Sequence, residues 1–146
     1  MFQSGAILIY LAEEFGQLSP DKGEERYEVI QWLMLEVSAI GPTFGQHLHF
    51  TRFEPNVSDY ARERDTSQSI RLLDVVEQRL QERKYLCDEQ YSIADMAAFA
   101  WLGRLRASNF HMRVARISFA GVRILLPGLL LSAWSSLRAS TSRSNG

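Results

Sequence analysis

The chain has 146 residues, 46% of them hydrophobic and 23% charged, which is enough for one ordinary soluble core and points to one main domain. Its single cysteine, Cys87, excludes an internal disulfide and fits a reducing compartment. A formal net charge of −1 hides an asymmetry: residues 1–101 carry 9 Lys and Arg against 17 Asp and Glu, a balance of −8, whereas residues 102–146 carry 7 Arg and no acidic residue, a balance of +7. The start, Met1-Phe2-Gln3-Ser4-Gly5, has no basic region ahead of its apolar run, and Glu13-Glu14 follow directly. No signal peptide is therefore read, and the expected location is cytoplasmic.

In chain order, Ser4 is a good N-cap residue, and Ala6, Ile7, Tyr10, Leu11 and Phe15 recur at helical spacing ahead of Gly16, a plausible C-cap. This predicts a short helix over residues 5–15, marginal in water unless it packs on something else. Leu18 to Gly23 reads as a turn or linker. A long helix then starts at Glu24, with Glu24, Glu25 and Glu28 where the helix dipole favours negative charge. Its predicted apolar stripe is Tyr27, Ile30, Leu33, Met34, Val37 and Ile40. Gly41-Pro42 should kink or interrupt it, with the pattern resuming through Phe44 and Leu48 towards Phe50. After a loop at Glu54-Pro55-Asn56, a second long helix is expected from Ser58 to Arg83, with Tyr60, Ala61, Ile70, Leu73, Val76 and Leu80 on one side. It contains no Gly or Pro.

The stretch from Tyr91 to Trp101 organises the rest. Ser92 and Asp95 have the spacing of a capping box: the hydroxyl would accept from the Asp95 N–H while the carboxylate reaches back to the Ser92 N–H. From there to Trp101 the residues are small or apolar and uncharged, which predicts a central helix buried on every side. Its role is to build a fold, not to do chemistry. No pattern of period two occurs in residues 1–101, so the expected fold class is all-α.

Five segments together resemble bacterial glutathione transferases, the Nu class especially. They are Ser4-Gly5-Ala6-Ile7-Leu8-Ile9-Tyr10-Leu11-Ala12-Glu13, Gln31-Trp32-Leu33, Gly41-Pro42-Thr43-Phe44-Gly45-Gln46 with His49-Phe50, Tyr60-Ala61-Arg62-Glu63-Arg64, and Tyr91-Ser92-Ile93-Ala94-Asp95-Met96. The resemblance covers residues 1–101. It implies a glutathione transferase C-terminal-like helical bundle, preceded by only the last helix of a thioredoxin-like domain. Residues 1–16 would be that remnant helix, 17–23 the linker, 24–101 the helical domain and 102–146 a divergent tail. The rest of the thioredoxin-like domain, with the groups that hold the glutathione thiolate, would be missing. The class conjugates glutathione to small electrophiles or reduces disulfides with it, as a homodimer. Glutathione is thus the implied co-substrate, an electrophile or disulfide the implied second substrate, and no nucleic-acid or membrane partner is expected.

Site residues follow from the same resemblance. Gln3 and Ser4 stand where the family binds the γ-glutamyl end of glutathione; free N–H groups and the dipole make a helix start an anion site. Gln3 replaces the usual Glu and loses charge assistance to the ligand's ammonium. Arg64 stands where the Nu class reaches glutathione in the partner subunit, although Asp65 replaces a Tyr beside it. Gln46, His47 and His49 fall near the second-substrate pocket; two His at i and i+2 do not share a helix face, so they are not expected to bind metal. Cys87 sits in the loop before the cap, beside Asp88-Glu89, which should suppress its thiolate. No catalytic residue is assigned.

The tail after Trp101 departs from the family pattern. Its loss of all acidic residues and its Leu-rich run, Ile124 to Leu131, suggest a shifted reading frame. Membrane insertion is not expected, because Arg123 and Pro127-Gly128 interrupt the apolar stretch. The expected function is that of a glutathione transferase family protein, inactive as this chain. The alternatives are a non-catalytic helical interaction module or a decayed gene fragment.

Overall fold

The computed structural model of the chain describes residues 1–81, 83–87 and 90–106. The expectations for the tail therefore lie outside the described residues. Among those residues the architecture is helical: α1 (Ser4–Phe15), α2 (Glu24–Leu35), α3 (Gly41–Leu48), α4 (Asp59–Leu80) and α5 (Ile93–Arg106). Two π-helical turns, Glu36–Ile40 and His49–Phe53, join α2 to α3 and follow α3, so the backbone stays helical from Glu24 to Phe53. No helix among the described residues is long and apolar enough to cross a membrane.

Local chemistry accounts for most of these boundaries. Gly16 takes the left-handed conformation, φ 60°, that ends a helix without a Cβ penalty, and both its N–H and that of Gln17 turn back to the Ala12 carbonyl. Ser58 is extended, and its hydroxyl accepts from the Ala61 N–H at 3.2 Å, capping α4. Helix α4 ends at Leu80, short of the Arg83 expected.

Gly41-Pro42 does not break the long helix. Proline offers no N–H and its ring crowds the carbonyl four residues back. The preceding turn is widened instead, so that the Gly41 N–H donates to the Glu36 carbonyl five residues back. Glycine at 41 serves a second purpose. A Cβ there would meet Trp101 Nε1 at 3.0 Å, and one at Gly45 would touch the same indole at 3.4 Å, so the two glycines let α5 approach α3 closely.

The core joins Val29, Leu33, Ile40, Phe44 and Leu48 of the long helical run to Leu73 and Val76 of α4 and to Ile93, Ala94, Ala98, Leu102 and Leu105 of α5. The predicted stripes needed correcting. Tyr27 and Met34 face solvent, 65% and 42% exposed, while Val29 and Glu36 take the inward positions. On α4 the buried residues are Asp65, Ser69, Leu73 and Val76, and Tyr60 is 76% exposed. Helix α5 is central but not buried on every side. Ile93, Ala94, Ala97 and Ala98 are buried, whereas Met96, Phe99 and Trp101 are half-buried and Ala100 is exposed.

The Ser92–Asp95 pair forms, with one bond reversed. Asp95 Oδ2 accepts from the Ser92 N–H at 2.9 Å as expected, but the Ser92 hydroxyl donates to that same oxygen at 2.8 Å. Asp95 Oδ1 accepts a third bond, from the Leu86 N–H at 2.8 Å, which fixes the preceding loop to the helix start. The Ile93 N–H donates to the Leu18 carbonyl at 2.9 Å and ties the linker to the same point.

Candidate functional site

Helix α1 begins one residue earlier than expected. Ser4 is its first residue and Gln3 its N-cap, with φ 72° and no side-chain cap bond. Ser4 therefore does not cap the helix, since a capping side chain needs the half-in position with extended backbone. The first intrahelical donor is the Ile7 N–H, which reaches the Gln3 carbonyl at 3.0 Å. The N–H groups ahead of it point out of the helix end. The first turn carries no acidic residue, and Gln3 and Ser4 are exposed. The helix end is thus electropositive and open, the arrangement that suits a carboxylate.

Helix α1 is apolar on two sides. Gly5 and Ala12 are buried and Leu8 and Ile9 pack against the core, while a Cβ at Gly5 would meet Val37 at 3.1 Å. Opposite lie Ile7, Tyr10 and Leu11, with Phe15 at the rim, 37–69% exposed. Arg26 of α2 anchors α1 through Glu13 at 2.5 Å.

Arg64 lies on the outer side of α4. Its guanidinium donates to Asp65 Oδ1 at 2.9 Å; the arginine side chain is 59% exposed and the aspartate 6%. The neighbouring carboxylate therefore holds part of the arginine's charge, as the sequence suggested.

Gln46, His47 and His49 are not brought to one surface. Gln46 and His49 are exposed, His49 with Phe50 edge-on at 4.9 Å, whereas His47 is 2% exposed and turned into the core. Its Nδ1 lies 3.2 Å from Thr66 Oγ1, so it joins α3 to α4 and is not a pocket residue. Burial holds the His47 pKa below the ordinary 6.5 against the opposing pull of the Asp65 charge, and so favours the neutral ring at pH 7. Asp65 and Thr66 were missed by sequence reasoning. The departure from Tyr at 65 was their one signal, and it did not reveal a buried carboxylate.

Cys87 lines a cleft of about 400 Å³ between the linker, α2 and the loop before α5, with Leu18, Glu25, Glu28 and Tyr91 among its walls. Its thiol is pushed up from 9.0 to about 11, chiefly by burial, against a hydrogen bond from Ser92 and with added repulsion from Asp95 and Glu28. The direction matches expectation and the leading cause is different; Asp88 and Glu89 lie outside the described residues. A rise of this size lowers the thiolate fraction about a hundredfold at neutral pH. Iodoacetamide should accordingly label Cys87 far more slowly in the native chain than in urea. Equal rates would show the thiol to be accessible and ordinary.

Residues 59–139 match the family description of the glutathione S-transferase C-terminal domain. The chain belongs to the glutathione S-transferase family. The match runs past Trp101, where the motif resemblance ends. The chain is 41% identical over 102 residues to the disulfide-bond oxidoreductase YfcG of Escherichia coli (strain K12), covering 70% of this chain and 47% of that protein. It is similar to a solved glutathione transferase from Burkholderia graminis with two glutathione molecules bound per subunit, at 43% identity and TM-score 0.70, over 80% of this chain and 53% of that one. A Pseudomonas putida glutathione transferase with glutathione disulfide bound aligns at 35% identity and TM-score 0.75, over 86% and 58%. The chain spans about half the length of such relatives.

Proposed function

We propose that this chain forms the helical half of a glutathione-dependent disulfide reductase or transferase. The two-sided α1 carries the reading. One face is buried on α2 and α5, and the other presents Ile7, Tyr10, Leu11 and Phe15, as expected of a helix built to be packed from both sides. The open N-terminus of the same helix, at Gln3-Ser4, supports a place for the γ-glutamyl carboxylate. Arg64 would serve glutathione bound to a partner subunit, weakened by Asp65. Gln46 and His49, both exposed, are the residues left to face a second substrate. The likeness to a disulfide-bond oxidoreductase favours disulfide reduction over conjugation.

Half a site should do little alone, because most stabilisation of a thiolate would come from the other half. Conjugation of a chloronitrobenzene, and glutathione reduction of a mixed disulfide, should both stay at background with the 146-residue chain. Joined behind the thioredoxin-like portion of a bacterial relative, the chain should reduce the disulfide. Ser4→Ala should then lower kcat/KM about 10- to 100-fold, the loss of a charge-assisted bond and its alignment. A folded fusion at background activity, or a Ser4→Ala fusion with full activity, would refute the reading.

A further inference from the structure

The core contains a carboxyl group, that of Glu36, which nothing in the proposed function uses. The helical run from α2 to α3 buries Val29, Leu33, Glu36, Ile40, Phe44 and Leu48, at steps of three and four. Glu36 stands in the middle of this stripe. It is 4% exposed, between Leu33 at 0% and Ile40 at 1%, and its Oε2 meets no hydrogen-bond donor among the described residues. An ionised carboxylate with a buried, unpartnered oxygen is disfavoured, which shifts the group towards its protonated form.

Among the described residues, the elements around it supply no countercharge. Glu28 of α2 and Arg79 of α4 pair with each other, and Asp65 of α4 pairs with Arg64. His47 of α3 faces Thr66, Asp95 of α5 is held by Ser92 and Leu86, and Glu77 is half-buried on α4. Burial alone pushes the Glu36 carboxyl above the usual 4.5.

The backbone at this residue is also unusual. Glu36 opens the π turn, its carbonyl accepts from the Gly41 N–H, and Pro42 follows. A π turn is a local departure from regular helix and often marks a working position. Here it adjoins α3, whose glycines at 41 and 45 seat the Trp101 ring.

We infer that the Glu36 carboxyl makes the α2–α3 junction a proton-sensitive joint: the folded chain binds a proton there, and the joint loosens as that proton leaves. Loosening would occur where the hydrogen-bond pattern already departs from α, and it would move α3, which carries Gln46 and leads into His49, relative to α5. A carboxyl raised in the folded state gives stability that is fully present below the unfolded-state value and lost as pH rises towards the folded-state value. Through that window the unfolded-to-folded ratio should rise about tenfold per pH unit, then level off. His47, lowered by burial, acts in the opposite sense below 6.5, so the informative quantity is the difference between wild type and a Glu36 variant.

The test is urea denaturation of the full chain from pH 4.5 to 8.5, with Glu36→Gln alongside. Glu36→Gln should remove the fall in stability and be the more stable form at pH 7.5, with Glu36→Met as a second variant in case the amide alone is poorly accommodated. Carbon-13 titration of the Glu36 carboxyl in the wild type should give a midpoint above the ordinary range. Amide exchange of residues 36–45, corrected for its intrinsic pH dependence, should quicken towards neutral pH in wild type and stay flat in Glu36→Gln. A carboxyl that titrates normally, or the same pH profile in both proteins, would overturn the inference.

Discussion

Replacing Asp95 with Ala should lower the stability of the chain by about 2–4 kcal/mol, because two buried N–H groups lose their acceptor and each such loss costs about 1–3 kcal/mol. The carboxylate is 8% exposed and accepts from the Ser92 N–H, the Ser92 hydroxyl and the Leu86 N–H, so one side chain both starts α5 and holds the loop ahead of it. Water cannot readily replace it. Asp95→Asn keeps one acceptor oxygen and should lose roughly half as much. Urea denaturation followed by far-ultraviolet circular dichroism would show the shift as about 1–2 M in midpoint. An unchanged midpoint for Asp95→Ala would mean that these three bonds do not form in solution.

The second large effect is expected at Arg79, the hub between α4, α2 and the loop after α4. Its Nε donates to the Leu86 carbonyl at 2.7 Å, its Nη2 meets Glu28 across 51 residues of sequence, and its guanidinium lies over the Trp32 ring at 5.4 Å. The arginine side chain is 17% exposed and Glu28 32%, so the pair is only partly screened by solvent. Arg79→Ala should cost about 2–3 kcal/mol, much of it the penalty of leaving half-buried Glu28 with only the more distant Arg83, 4.0 Å away, as its cation. Arg79→Lys should recover less than half of the loss, because a point charge cannot make the carbonyl, carboxylate and ring contacts together. Glu28→Gln in the Arg79→Ala background should recover much of the loss if the stranded charge is the cause. No recovery there would assign the effect to packing instead.

These two residues also show where sequence reading succeeds and stops. The Asp95 bond to the Ser92 N–H spans three residues, so spacing alone exposes it, and the same holds for the Ser58 cap and the Gly16 terminus. The Asp95 bond to Leu86 spans nine residues and passes through a loop, and that of Arg79 to Glu28 spans 51; no local pattern contains either. Glu36 misled in another way. A charged residue on the inward face made Tyr27, Ile30 and Met34 look like the better stripe, because periodicity assumes that charges face water. Ser4 was assigned to the wrong side of the helix boundary by a single residue, enough to turn a cap into an open end. The three pocket residues were adjacent in sequence, but a helix distributes neighbours around its axis, and His47 went to the core.

The π turn between α2 and α3 also acts as a phase shifter. A helix with i to i+5 bonding holds one more residue than its rise requires, so the side chains after it are rotated relative to those of an uninterrupted α-helix. Phe44 and Leu48 reach the same core as Leu33 and Ile40 across that offset. Were Glu36–Ile40 to run as plain α-helix with every residue kept, everything downstream would turn by about 100°. Phe44 and Leu48 would then leave the face they share with Leu33. Removing one residue there, such as the exposed Ser38, takes out the surplus and keeps that phase, its cost falling on the Pro42 ring, so a deletion should be better tolerated than a one-residue insertion at the same place.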